Sequence, residues 1–280
     1  MIIKCWGSRG SIAVSGCDFI KYGGDTTCIE VQTRSGDLII IDAGTGIRLL
    51  GNRLMDESPR RINLLLTHAH WDHLSGFPFF KPIYRKGAEI RIHGPQNTQD
   101  SLKRIISKTM TAPYFPIEFE DINADISFLN MKHKDYSIGS VKIDTIPISH
   151  PNQGVGYRLE EDGKTFVFLT DNELTFHHPF GLGYDDYVKF CQGADILFHD
   201  AEYMRDEYEA QTRGWGHSVF LDTLQLALDA GVKSLGLFHQ NQDRTDAEVD
   251  KMVAECKRLI KKHGSSLECF AVSSSTEITL

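Results

Sequence analysis

The segment THAHWDHLSG, residues 67–76, follows the apolar run Ile62-Asn63-Leu64-Leu65-Leu66 and gathers three histidines and an aspartate within six positions. A short apolar run with polar flanks reads as a buried strand, so these side chains leave a strand end. His68 and His70 lie two apart, and an extended turn aims both at one point. Asp72 and His73 follow and serve a second point nearby. Imidazole and carboxylate together suit zinc, manganese or iron, and catalytic zinc keeps one coordination position open for water. Single histidines are ordinarily solvated or core residues, but four donors in six positions point to metal.

The rest of the chain bounds what that metal serves. At 280 residues, 41% hydrophobic and 24% charged, the composition is that of an ordinary globular protein. No repeat or linker-like stretch divides it, so residues 1–280 are expected to form a single domain. A net charge of −8 argues against a chain whose main task is gripping nucleic acid phosphates, though it leaves room for a local basic pocket. The six cysteines are dispersed with no C-x-x-C pair, and Met1 to Gly7 reads as a strand rather than a signal. Reduced, mostly buried thiols in the cytoplasm are the expectation. Nothing approaches the roughly 20 apolar residues of a membrane span.

Strand signals crowd the first part: Ile2–Trp6, Cys28–Thr33, Leu38–Ile41, Arg61–Leu66 and Glu89–His93. Helical spacing covers 96–108. Strands are expected again at Ile126–Leu129, Val141–Ile148, Gly154–Leu159 and Thr165–Leu169. The last third alternates: strand Ile196–Phe198, helix Val219–Ala230, strand Ser234–Phe238, helix Ala247–Lys262. The last helix is opened by the capping box of Thr245 and Glu248. Strands first and βαβα afterwards predict an α/β fold, two sheets sandwiched between layers of helix.

The pattern H-x-H-x-D-H after an apolar strand resembles the metallo-β-lactamase superfamily in its dinuclear hydrolase form. Four more segments carry the resemblance in order: Ile39-Ile40-Ile41-Asp42-Ala43-Gly44-Thr45-Gly46, Ile146-Pro147-Ile148-Ser149-His150, Phe168-Leu169-Thr170-Asp171 and Leu235-Gly236-Leu237-Phe238-His239. Asn172 departs from the Gly-Asp-Thr-like sequence of many relatives, which changes a neighbour and not the aspartate. The resemblance implies the αββα sandwich and two divalent metal ions, zinc foremost with manganese as the alternative. His68, His70 and His150 would hold one and Asp72, His73 and His239 the other, with Asp171 bridging. Asp42 would orient the histidine loop from behind. Metal-activated water would attack the substrate, with no covalent enzyme intermediate.

Trp215-Gly216-His217-Ser218 before a helix is similar to the phosphodiesterase branch that includes ribonuclease Z. There the histidine faces the leaving group, held by a carboxylate, here Asp200. Asp72, Asp200 and His217 are thus the catalytic candidates. Arg9, in Gly7-Ser8-Arg9-Gly10, joins His217 and Ser218 as a phosphate-facing candidate, a tight turn being the plain alternative. Ribonuclease Z carries a tRNA-gripping arm between its later metal histidine and bridging aspartate. The short interval from His150 to Asp171 has no room for one. The expected substrate is therefore a small phosphodiester, a cyclic nucleotide foremost, with no stable nucleic acid partner and no membrane. The alternatives are tRNA 3′ processing and lactone or thioester hydrolysis on the same metals. His93, His133, His177, His178, His199 and His263 have no place in the ligand order, and Trp71 is expected to pack the ligand loop. Met110, Tyr114 and Phe115, in the proline-marked stretch Thr109–Pro116, follow no clear period. That stretch is expected at a homodimer interface or pocket wall, or folded back over its own sheet.

Overall fold

The computed structural model describes residues 1–57, 61–94, 99–130 and 136–280. The first sheet contains β1 (Ile2–Gly7), β2 (Cys28–Gln32), β3 (Leu38–Ile41), β4 (Arg61–Leu65), β5 (Glu89–Gly94) and β6 (Asp125–Asn130). The second contains β7 (Tyr136–Ile138), β8 (Val141–Pro147), β9 (Val155–Glu161), β10 (Lys164–Leu169), β11 (Ile196–Asp200), β12 (Ser234–Phe238) and β13 (Glu268–Ala271). A last strand, β14 (Glu277–Thr279), returns to the first sheet and pairs antiparallel with β1, Ile2 opposite Thr279. The orders are β14-β1-β2-β3-β4-β5-β6 and β13-β12-β11-β10-β9-β8-β7. Within each, one half is antiparallel and the other parallel: β3 through β6 in the first, β10 through β13 in the second.

The period-2 alternation of strand side chains sorts the core into three layers. Ile39, Ile41, Phe166, Phe168 and Phe198 fill the space between the sheets. Their neighbours Leu38 and Ile40 face outward on the first sheet and pack with Ile47, Leu50 and Leu54 of helix α1 (Ile47–Glu57). Val167, Leu169, Leu197, Leu235 and Leu237 face outward on the second and meet helices α3 (Phe220–Asp229) and α4 (Asp246–His263), through Leu224, Val249 and Met252. Central strands buried on both faces read as continuous apolar runs, as LIII at 38–41 does. The architecture is an αββα sandwich.

Residues expected as a helix at 96–108 form α2 (Gln99–Thr109) over the described part. Met110 is corrected from loop to core: it is fully buried beside Leu102 and Ile106, extending their four-residue period by one turn. In the same stretch Phe115 packs edge-to-face on Phe79, ring centres 5.5 Å apart, and Tyr114 is 86% exposed. Five cysteines are buried and Cys17 is exposed. Among the described residues no helix is long and apolar enough to cross a membrane. His133 lies outside the described residues.

Candidate metal centre

The candidate donors sit just beyond the C-terminal ends of strands, where crossover folds leave ligand sites. Asp42 follows β3, the 67–73 loop follows β4, His150 follows β8, Asp171 follows β10 and His239 follows β12. Asp42, Asp171 and His239 have φ of 63°, 52° and 56°. This left-handed region is unfavourable for side-chain-bearing residues, tolerated best by Asn, Asp and His, and concentrates at functional sites. Gly10 is required by close approach, since a Cβ there would lie 2.4 Å from His239 Nδ1.

Among the described residues three groups of donors form, each with its atoms within 4.8 Å of one another: His68, His70, His150 and Asp171; Asp72, His73, Asp171 and His239; and, adjoining the second through His239, Asp200, Glu202, His217 and His239. Asp171 belongs to both of the first two. Its Oδ2 lies 3.5 Å from His68 Nε2 and 3.3 Å from His239 Nε2, and its Oδ1 lies 3.4 Å from His73 Nε2. His150 Nε2 faces His70 Nδ1 at 2.9 Å. Asp72 Oδ2 accepts the Ser11 amide at 2.9 Å and lies 3.1 Å from His239 Nε2.

The opposite ring nitrogens are tied down. His73 Nδ1 meets Asp42 Oδ2 at 2.8 Å, His239 Nδ1 meets Glu202 Oε2 at 2.9 Å, and His150 Nδ1 donates to the Gly216 carbonyl at 2.9 Å. Thr67 Oγ1 donates to Asp42 Oδ2 at 2.8 Å and lies 3.0 Å from His68 Nδ1. Such partners fix the tautomer and turn the Nε2 lone pairs toward one point. His68 Nε2 and His73 Nε2 are buried there with no hydrogen-bond partner. Buried polar atoms are rarely left so without a reason such as an ion. Burial pushes His150 down to about 3, only partly offset by Asp171, which keeps the ring neutral and its lone pair available. Burial opposes charge on Asp171 too, but His239, His73 and His68 hold it well below the usual carboxylate range. The residues present therefore fit a pair of divalent cations.

His217 stands beside the first two groups, its ring stacked on that of His239 with centroids 4.7 Å apart. Its Nδ1 lies 2.9 Å from Asp200 Oδ2 and 3.4 Å from Glu202 Oε2. Burial disfavours the imidazolium, yet Glu202 and Asp200 outweigh it and hold His217 up to about 9. Glu202 is a residue that sequence reasoning passed over. It serves His239 and His217 together, and its signal was an acid two positions past Asp200 at the same strand end. Glu173 was missed as well. Its buried carboxylate accepts from the Tyr208 hydroxyl at 2.6 Å, and from the Gly214 amide, the Gly216 amide and His178 Nε2 at 2.7 Å each.

Three expectations are corrected. The Arg9 guanidinium is fully buried and donates to the carbonyls of Gly23, Asn241 and Arg244, so it ties loops together and faces no phosphate. Ser218 Oγ donates to the Asn172 carbonyl at 2.6 Å and accepts the Leu174 amide, which makes it a backbone brace and no substrate contact. Trp71 does not pack the ligand loop, being 65% exposed.

A family model, the beta-lactamase superfamily domain, matches residues 38–240, from β3 to just past His239. This chain belongs to that superfamily. As a metallo-β-lactamase-fold hydrolase it is similar to ribonuclease Z of Sulfolobus acidocaldarius, 27% identical over 241 residues, 74% of this chain and 79% of the relative. Among solved structures it resembles the metallo-β-lactamase-fold protein YhfI from Bacillus subtilis, with TM-score 0.71 and 15% identity over 99% of this chain and 98% of that one. Unliganded yeast PDE1 gives TM-score 0.70 and 15% identity, covering 100% of this chain and 99% of the other. In this superfamily fold the paired His/Asp groups imply divalent metal ions.

Proposed function

We propose that this hydrolase is a dinuclear-metal phosphodiesterase of small phosphodiesters, cyclic nucleotides foremost. His68, His70 and His150 would hold one cation and Asp72, His73 and His239 the other, with Asp171 between them, zinc being the first choice and manganese the alternative. Bound there, two such ions polarise phosphoryl oxygens and acidify water at neutral pH. The carrying observation is His217, a buried imidazole pinned to Asp200 at 2.9 Å beside the first two donor groups. With Nδ1 held by the carboxylate, Nε2 is the atom from which a proton reaches a departing alkoxide. Thioester hydrolysis would have less need of that acid, because a thiolate leaves readily without a proton whereas the alkoxide of an ordinary phosphodiester leaves poorly without one.

Small substrates are favoured by the segment between His150 and Asp171. It is a paired hairpin, β9 and β10 with a turn at Asp162-Gly163, built into the second sheet. The second reading, a tRNA-processing nuclease, is favoured by the similarity to a ribonuclease Z over 79% of that relative. Turnover of bis-p-nitrophenyl phosphate, cyclic mono- and dinucleotides and a 3′-extended tRNA precursor, each with zinc or manganese, separates the two. Cleavage of the precursor above every small diester would overturn the proposal.

A further inference from the structure

A cavity of about 380 Å³ opens beside His217, walled by Tyr203, Glu207, Trp215, Gln242 and Asp243. Larger hollows beside Lys257 and beside Gly87 contain none of the site residues. Because His217 and Glu202 line both this cavity and the candidate centre, a group attached to a phosphate at the centre reaches it directly.

Three features of its wall bear on what it takes. Trp215 is 61% exposed and so contributes little to the core. The amides on either side of it, Gly214 and Gly216, are each fixed at 2.7 Å on Glu173, so the indole stands on a held backbone. A flat aromatic face of this kind stacks planar rings. The charged wall groups besides His217 are carboxylates, with no Lys or Arg among them. Glu207 is matched by Arg244 behind it, while Asp243 has an amide contact from Gln242 and no cationic partner among the described residues. Gln242 Oε1 is closed to solvent, which leaves the exposed Asp243 as the unmatched acceptor of this wall. The wall thus offers a stacking face and a hydrogen-bond acceptor, and it repels anions.

We propose, resting on the phosphodiesterase reading, that this cavity is the subsite for an amino-bearing nucleobase, in substrates whose one phosphate is the scissile one. The base lies on Trp215 and presents an N–H group to Asp243. A second phosphate on the nucleoside meets Asp243 and is disfavoured. An RNA strand, with phosphates on either side of the scissile one, fits this wall poorly.

The test compares kcat/KM for 2′,3′-cyclic AMP with that for the same nucleotide bearing a 5′-phosphate, using bis-p-nitrophenyl phosphate to follow the chemistry. The expected preference for the singly phosphorylated nucleotide is about tenfold or more at low salt, and Asp243→Lys narrows that ratio. Independently of turnover, adenosine quenches tryptophan fluorescence in the wild type, and Trp215→Phe abolishes the quenching. Equal kcat/KM for the two nucleotides, in protein that hydrolyses bis-p-nitrophenyl phosphate, overturns the subsite. So does quenching that survives in Trp215→Phe, or choline competing as well as adenosine. Failure of the metal-loaded protein to hydrolyse any phosphodiester defeats the underlying reading instead, and the adenosine titration then decides the subsite alone.

Discussion

Replacing Glu173 by glutamine asks whether the segment from Tyr208 to His217 is held from beneath. Oε1 receives the Tyr208 hydroxyl and the Gly214 amide, and Oε2 receives the Gly216 amide and His178 Nε2, at 2.6–2.7 Å. Glutamine keeps the shape but has one oxygen. Whichever way its amide turns, one backbone amide, Gly214 or Gly216, then faces an NH₂ group, while the Tyr208 hydroxyl or the His178 ring can turn to accept from it. Hydrogen bonds to charged groups contribute about 1.5–3 kcal/mol each, so the lost bond costs at least ~1.5 kcal/mol. For a chain of this order of size that lowers the melting temperature by about 3–6 °C. The same segment supplies the Gly216 carbonyl to His150 and carries His217, so displacement reaches the site. A misplacement near 1 Å can cost roughly 100-fold in rate, and kcat on bis-p-nitrophenyl phosphate is expected to fall about 10- to 100-fold. Thermal unfolding by circular dichroism and steady-state kinetics on one preparation check both. A variant melting within about 2 °C of the parent, with unchanged kcat, would refute the reasoning.

Protein purified without chelator is expected to carry about two metal equivalents per chain, measured by elemental analysis, and Asp171→Ala to lose at least one. His217→Ala is expected to lose about 10²–10⁴-fold for an alkoxide leaving group and much less for p-nitrophenolate, which departs without a proton; equal losses would point to phosphate binding instead. Since burial is outweighed by Glu202 and Asp200, which hold His217 up to about 9, its acid form is lost as pH rises through that value. Activity on alkoxide esters should therefore fall on the alkaline side, at or below about pH 9 because bound cations disfavour the imidazolium, with no such limb for p-nitrophenyl esters. Light scattering is expected to show a homodimer; if it does, monomerisation by Tyr114→Ala, whose side chain is 86% exposed, marks an interface, and a raised KM in an intact dimer marks a pocket wall.

The strands nearest the site were the most legible. Leu38–Ile41 and Ser234–Phe238 have the boundaries expected of them, because apolar runs that end at Asp42 and His239 leave little choice of register. The capping box at Thr245 and Glu248 likewise marks the start of α4, with both reciprocal bonds present. Helix α1 was not read, although Ile47, Leu50, Gly51 and Leu54 are its buried positions at helical spacing; the glycines at 44, 46 and 51 hid it. Strand β14 has three residues, with Glu277 and Thr279 exposed, and its pairing with β1 is a long-range contact that no local pattern announces. The donor residues could be named because each follows a strand. Arg9 misled, since an arginine between glycines looks the same whether it meets a phosphate or three carbonyls. Glu173 was invisible for a related reason: its partners lie 5 to 43 residues away and half of them are backbone amides.

The donors are divided between the two sheets. His68, His70, Asp72 and His73, on the loop after β4, come from the first, whereas His150, Asp171 and His239 come from the second. Neither half presents a complete set, so the centre exists only once the halves have docked. Any ion that binds it works as a keystone between them, and its binding free energy becomes cohesion of the sandwich. At 100 times its dissociation constant one such ligand adds about 2.7 kcal/mol. Loosening at the seam, far along the strands from any histidine, would be felt at the centre as weaker affinity, and a filled centre would in turn resist that loosening.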